Sequence, residues 1–230
     1  MEQLRPNTQR AKNAILLIWI MLMLDVVLLL SNLMQYHLLD TAANGGEISI
    51  ADAEANDMRQ QVLAVVYMIT FIISIVTFLQ WFRRAHFNLS TQVPKLEHSE
   101  NDTLWSWFIP ILSLYAPYNI MKALYKKTDD VLGEKLRLYT HGLSTKYLGW
   151  WWALWIIGGV IEKIGYFQLK DADTVSELIV VTNLNIITLF WSIFLCLITI
   201  KIVTDYSKIE PLLFQLKGEM EEEEDDREEM

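Results

Sequence analysis

The sequence predicts an all-α fold: a polytopic membrane bundle of four transmembrane helices with a fifth, proline-broken segment that re-enters the membrane or lies in its interface. Three observations predict it. Hydrophobic residues make up 53% of the chain and aromatic residues 12%, and the mean hydropathy is +0.24. The apolar residues come in unbroken blocks rather than alternating or one-face stripes, which marks helices that are greasy all round. Several blocks reach the roughly 20 residues that a hydrocarbon core of about 30 Å requires.

Residues 1–13 form a short polar N-terminus carrying Arg5, Arg10 and Lys12. The first span is expected at about 14–36. Its length, the interrupting Asp25 and the lack of a small-residue cleavage site argue against a cleaved signal peptide. Residues 37–58 then hold five acids and no Lys or Arg, with a turn at Asn44-Gly45-Gly46. The second span, about 60–82, contains the charge-free run 62–79 and is stopped by Arg83 and Arg84.

Region 104–125 reads differently. Pro110 and Pro117 each remove a backbone donor and clash one turn back, so a plain spanning helix is disfavoured. Irregular backbone at membrane depth is tolerated only where protein or water covers it. A basic amphipathic stretch follows, then spans at about 147–168 and 178–201. The helical membrane domain thus covers 14–210, and 211–230 is an acidic tail expected to be disordered. Residues 218–230 hold nine acids against Arg227, so they supply −8 of the formal net charge of −9.

Charge bias sets the expected topology. The N-terminus, 83–95 and 122–146 are basic, and Lys and Arg favour cytoplasmic loops. Four spans plus a re-entrant segment keep all three, and both termini, in the cytoplasm. Trp81, Trp105, Trp107 and Trp150 to Trp152 would then form a one-sided aromatic belt near the cytoplasmic interface.

Composition excludes several functions. No basic face suits nucleic acid, and an acidic tail repels phosphate. The single Cys196 allows no intramolecular disulfide or cysteine metal cluster, and the four His residues are scattered without ligand spacing. No phosphate-binding glycine loop, nucleophile elbow or paired-carboxylate constellation is present, so no enzyme, cofactor or metal is expected.

The candidate residues are polar groups at membrane depth or at its edge. Trp81, Arg84 and Asn88 fall on one helix face, which can grip a lipid phosphate or tie down carbonyls freed by Pro110 and Pro117. Trp107 belongs to the same aromatic-proline segment. Asp25 lies mid-span and needs a partner, with Lys163, Asn183 and Asn185 as candidates. Its carboxylate reads either as part of a proton or cation path or as interhelical glue. Asn183 and Asn185 make the last span partly polar. The expected partners are the lipid bilayer, a second copy of the chain, and a basic protein for the acidic tail.

Three runs carry a family resemblance: WFRRAHFN (Trp81 to Asn88), WFIPILSLYAPYNIMKAL (Trp107 to Leu124) and GWWW (Gly149 to Trp152). Together they resemble a bacterial membrane family known as domain of unknown function 4328, over roughly residues 60–200. Ser113 and Ala116 depart from the Asn and the basic residue common there. The resemblance implies a bacterial inner-membrane protein and carries no activity. The functional expectation is therefore a non-catalytic, oligomeric membrane module, a conduit or a lipid- or ligand-sensing element built on Trp81–Tyr125. A scaffold recruiting partners through loops and tail is the alternative, and an enzyme acting on lipid headgroups is the third reading.

Overall fold

A computed structural model describes residues 4–93, 96, 99–136, 139, 142–170 and 172–216. Among the described residues the chain is helical without strands: α1 (Thr8–Ala43), α2 (Ile50–Ser90), a single turn α3 (Asp102–Trp105), a 3-10 turn (Leu112–Leu114), α4 (Ala116–Lys135), α5 (Lys146–Lys170) and α6 (Val175–Ile209). The acidic run from 217 onward, His98 and His141 lie outside the described residues.

Helix boundaries follow local chemistry. α1 stops at Asn44-Gly45, where Gly45 takes φ +77° and the Gly46 N–H returns to the Thr41 carbonyl at 2.9 Å; glycine adopts this left-handed cap without a Cβ clash. α2 starts where the Ser49 hydroxyl accepts from the Asp52 N–H at 3.1 Å. α6 opens on a reciprocal cap: Glu177 N–H reaches the Thr174 hydroxyl and Thr174 N–H reaches the Glu177 carboxylate at 2.9 Å. Pro117 occupies the first turn of α4, where its missing N–H has no helical partner to lose.

Three helices among the described residues are long and apolar enough to cross a membrane: Thr8–Ala43, Ile50–Ser90 and Val175–Leu216. This corrects the expected count of four. The exception is α5, expected to span at 147–168. Its charge-free part runs only from Tyr147 to Ile161 before Glu162 and Lys163, about 22 Å at 1.5 Å per residue. Four indoles in that stretch add little hydropathy.

The chain divides into two compact units, and every crossing between them falls inside a helix. Unit 1 comprises Met1–Ile15, Ile75–Trp150 and Ile200–Met230; unit 2 comprises Leu16–Ser74 and Trp151–Thr199. Unit 1 has an ordinary apolar core. Trp81, Phe82, Leu89, Ile120, Leu124 and Tyr206 are fully buried, and Leu132 packs with Leu213 and Leu216. Residues 211–216, placed by sequence at the start of the tail, are therefore folded up to Leu216. In unit 2 many apolar side chains are exposed, among them Leu30, Val65, Ile69 and Phe194, while Asp25, Ser31, Asn32 and Thr182 are buried. Trp191 of α6 donates to the Leu154 carbonyl of α5 at 2.7 Å, close to Gly158, where a Cβ would lie 3.2 Å from the Trp191 ring.

Candidate functional site

The most connected polar cluster of unit 1 is centred on Glu210, immediately after α6. Asn7, at the start of α1, donates its amide to both Glu210 carboxylate oxygens at 3.1 and 3.0 Å and lies 3.2 Å from the Trp81 carbonyl. Asn88, near the end of α2, donates to Glu210 at 2.8 Å and to the Arg5 carbonyl at 2.9 Å, and accepts from the Arg5 N–H at 3.0 Å. One carboxyl group thus fastens the start of α1 and the ends of α2 and α6. Asn7, Asn88 and Glu210 are all buried. Burial pushes the Glu210 carboxyl up to about 7, against the opposing pull of Asn88, Asn7 and Arg84. A cavity of about 220 Å³ opens beside this clasp, lined by Pro6, Asn7, Thr8, Glu210, Pro211 and Phe214.

Trp81 forms the aromatic heart of the same unit. It packs edge-on against Tyr206 at 6.0 Å and beside Phe78 at 5.6 Å, while Trp107 meets Phe78 edge-on at 5.8 Å. Tyr125 of α4 donates to the Ile202 carbonyl at 2.6 Å, and Thr128 bonds the Tyr206 hydroxyl at 3.1 Å. The expected aromatic belt is therefore corrected in part: Trp81 and Trp151 are core residues, whereas Trp105 and Trp150 are exposed. Asn88 does tether backbone, but that of Arg5 rather than carbonyls near Pro110 and Pro117.

Arg84 lies in a cluster of like charge. Its guanidinium is held below its ordinary pKa by burial first and then by Arg10, Arg5 and Arg83, with Glu100 opposing. Arg83 is paired with Glu100 at 2.9 Å. Arg5 sits 4.3 Å over the Phe87 ring, and Arg84 is 5.8 Å from the same ring. Among the described residues, the acids that act on this cluster are Glu100 and, through Arg84, Glu210.

The segment between α3 and α4 is broken at both prolines, as their chemistry demands. Residues 106–115 run through turns and the 3-10 turn, and Ser113 donates to the Pro110 carbonyl at 2.9 Å. Pro110 is exposed and Pro117 buried. Trp105, Phe108, Ile109, Ile111, Leu114 and Tyr115 present an exposed apolar strip, with Ile111 at 73%. On α4, Lys122, Lys126 and Lys127 are exposed.

In unit 2, Asp25 is fully buried and accepts from Ser192 at 2.8 Å, with the Cys196 thiol 3.8 Å away. Its partners are therefore neither Lys163 nor Asn183 nor Asn185. Asn183 and Asn185 are exposed on α6. Sequence reasoning missed Asn7 and Glu210 entirely. The available signal was an acid, Glu210, closing an apolar helix just after Lys208 and just before Pro211.

Taken together, helices of this length and hydropathy and an inward-turned polar set define a helical membrane protein. Within that class, the chain belongs to the family described as Domain of unknown function (DUF4328), whose model matches residues 44–208. Asn88, Pro110, Pro117 and Ser192 lie inside the match; Asn7, Asp25 and Glu210 lie outside it. No curated protein and no solved structure matches the chain.

Proposed function

We propose that this protein is a non-catalytic module of the bacterial cytoplasmic membrane, in which unit 1 recognises anionic lipid headgroups. The observation that carries this reading is the arginine cluster. Arg10, Arg5 and Arg83 each repel Arg84, and Glu100 and Glu210 offset part of that charge. A lipid phosphate joining them supplies the missing counter-charge, and guanidinium forks match its oxygens. The exposed strip around Phe108 and Ile111 gives the same unit an apolar surface suited to the headgroup–acyl boundary, flanked by the α4 lysines. On this reading 104–125 is an interfacial or re-entrant segment with both flanks cytoplasmic.

Topology follows the clasp. Asn7 and Glu210 are bonded, so the start of α1 and the end of α6 lie on one face of the membrane. The conduit reading is weaker, because Asp25 is buried and bonded, as a helix-packing carboxyl would be.

The test is the thermal midpoint of the purified protein in nanodiscs of phosphatidylcholine against nanodiscs containing phosphatidylglycerol. Each arginine near an anionic surface contributes about 1 kcal/mol, so three unpaired ones raise the midpoint by roughly 5–10 °C. The Arg5→Gln, Arg10→Gln, Arg84→Gln triple variant should lose that rise. An unchanged rise in the variant, or none in the wild type, defeats the proposal.

A further inference from the structure

We propose that α6 pairs with the same helix of a second copy of this chain, through the outward stripe Val180, Asn183, Ile187, Phe190, Phe194 and Leu197, with the Asn183 carboxamides bonded across a two-fold axis. The spacing of the stripe alone decides nothing, since any outward helix face repeats every three or four residues. Asn183 decides it. In the apolar stretches of α1 and α2, Asp25, Ser31, Asn32, Gln35, Tyr67, Thr70, Ser74 and Thr77 are not exposed, and the polar groups that are, Tyr36 and the indole of Trp19, belong to aromatic rings. Several are visibly paired: Gln35 donates to Thr182 at 3.1 Å, and Arg59 donates to Ser31 at 3.0 Å. Asn183 is the departure. It is exposed in line with Ile187 at 52%, Phe190 at 51% and Phe194 at 59%.

Depth makes this exposure consequential. The charge-free stretch of α6 lies between Glu177 and Lys201. Asn183 is six residues from its midpoint, about 9 Å along the axis and inside the ~15 Å half-thickness of the hydrocarbon core. Acyl chains offer a carboxamide neither donor nor acceptor, whereas another carboxamide offers both. Copies inserted in the same sense have parallel α6 helices, and a two-fold axis along the membrane normal brings Asn183 opposite its own equivalent. A polar residue in an otherwise apolar helix seam fixes register in this way. Asn185 is exposed as well, but lies about 200° round the helix, in line with buried Val181, Thr182 and Leu189. It faces the protein's own side rather than the stripe.

This inference rests on α6 spanning the membrane and is independent of headgroup recognition. The experiment uses full-length single-cysteine variants in proteoliposomes, with Cys196→Ser as background. Oxidative cross-linking should give dimers with Asn183→Cys and Phe190→Cys, and not with Val65→Cys on the outward face of α2. A membrane-impermeant maleimide is applied in parallel, to both faces. Rapid labelling of Asn183→Cys means that α6 is wet there, and the spanning reading falls together with the pairing. No labelling with no cross-link, or equal cross-linking from Val65→Cys, leaves the span intact and overturns the pairing. In energy-transfer measurements of self-association, Asn183→Leu should weaken the dimer about threefold to tenfold and Asn183→Gln should restore it. A leucine variant that associates like wild type overturns the carboxamide contact.

Discussion

The two units obey opposite burial rules within the same helices. In α2, residues such as Val62, Val65, Ile69 and Ile72 of unit 2 are exposed, while Trp81, Phe82, Ala85 and Leu89 of unit 1 are fully or almost fully buried. Unit 2 buries particular polar pairs, Asp25 with Ser192 and Ser31 with Arg59. Unit 1 hides an aromatic core and keeps its lysines outside. One helix therefore exposes its apolar side chains over its first half and buries most of them over its second. Hydropathy alone scores both halves as greasy, and only the partner of each side chain separates them.

The sharpest way to break this comparison is to truncate one large residue in each unit. Trp81→Ala removes a fully buried ring packed against Phe78 and Tyr206, and should cost about 3–5 kcal/mol. Ile72→Ala on the exposed face of α2 should stay within about 1 kcal/mol. Denaturation in detergent micelles compares the two, and equal losses would mean that the units share one burial rule.

A second test uses pH on the clasp. Glu210 has a folded pKa of about 7 against an ordinary 4.5, so the native state holds this proton more tightly than the unfolded one. Its stabilising contribution is complete below about pH 4.5, declines as pH rises and is gone above about 7, a change on the order of 3 kcal/mol. Stability curves between pH 5 and 8 should flatten in Glu210→Gln. An identical slope in that variant would remove the clasp from the account.

The smallest expected effect is in unit 2. Asp25→Asn keeps an acceptor for the Ser192 hydroxyl, so unfolding should shift by less than about 1 kcal/mol, in line with interhelical bonds in membranes. A much larger loss would mean that the charge itself holds the helices.

Much of the fold was legible because hydropathy is a local property. The runs at 14–36, 62–79 and 178–201 are charge-poor over the length that a bilayer demands, and Pro110 and Pro117 announced the break between α3 and α4. α5 was misjudged because its greasy appearance comes from indoles, with Glu162 and Lys163 cutting the apolar run short. The sites were harder to see. Asn88 stood out by its spacing from Trp81 and Arg84, yet its carboxylate partner lies 122 residues away, and that of Asn7 lies 203 away. Asp25 needs a partner, but Ser192 is 167 residues distant, on a helix whose charge-free stretch carries six other hydroxyl, thiol or amide side chains. Local pattern cannot choose among them.

The clasp also fixes an order of events during synthesis. A chain leaves the ribosome at about 5–20 residues per second, so Asn88 waits roughly 6 to 25 seconds for Glu210 to follow it. α4, α5 and α6 are all made within that interval. Unit 1 is therefore fastened only after the whole of α6 has been made, so a chain cut short before Glu210 leaves Asn7 and Asn88 without their shared carboxylate.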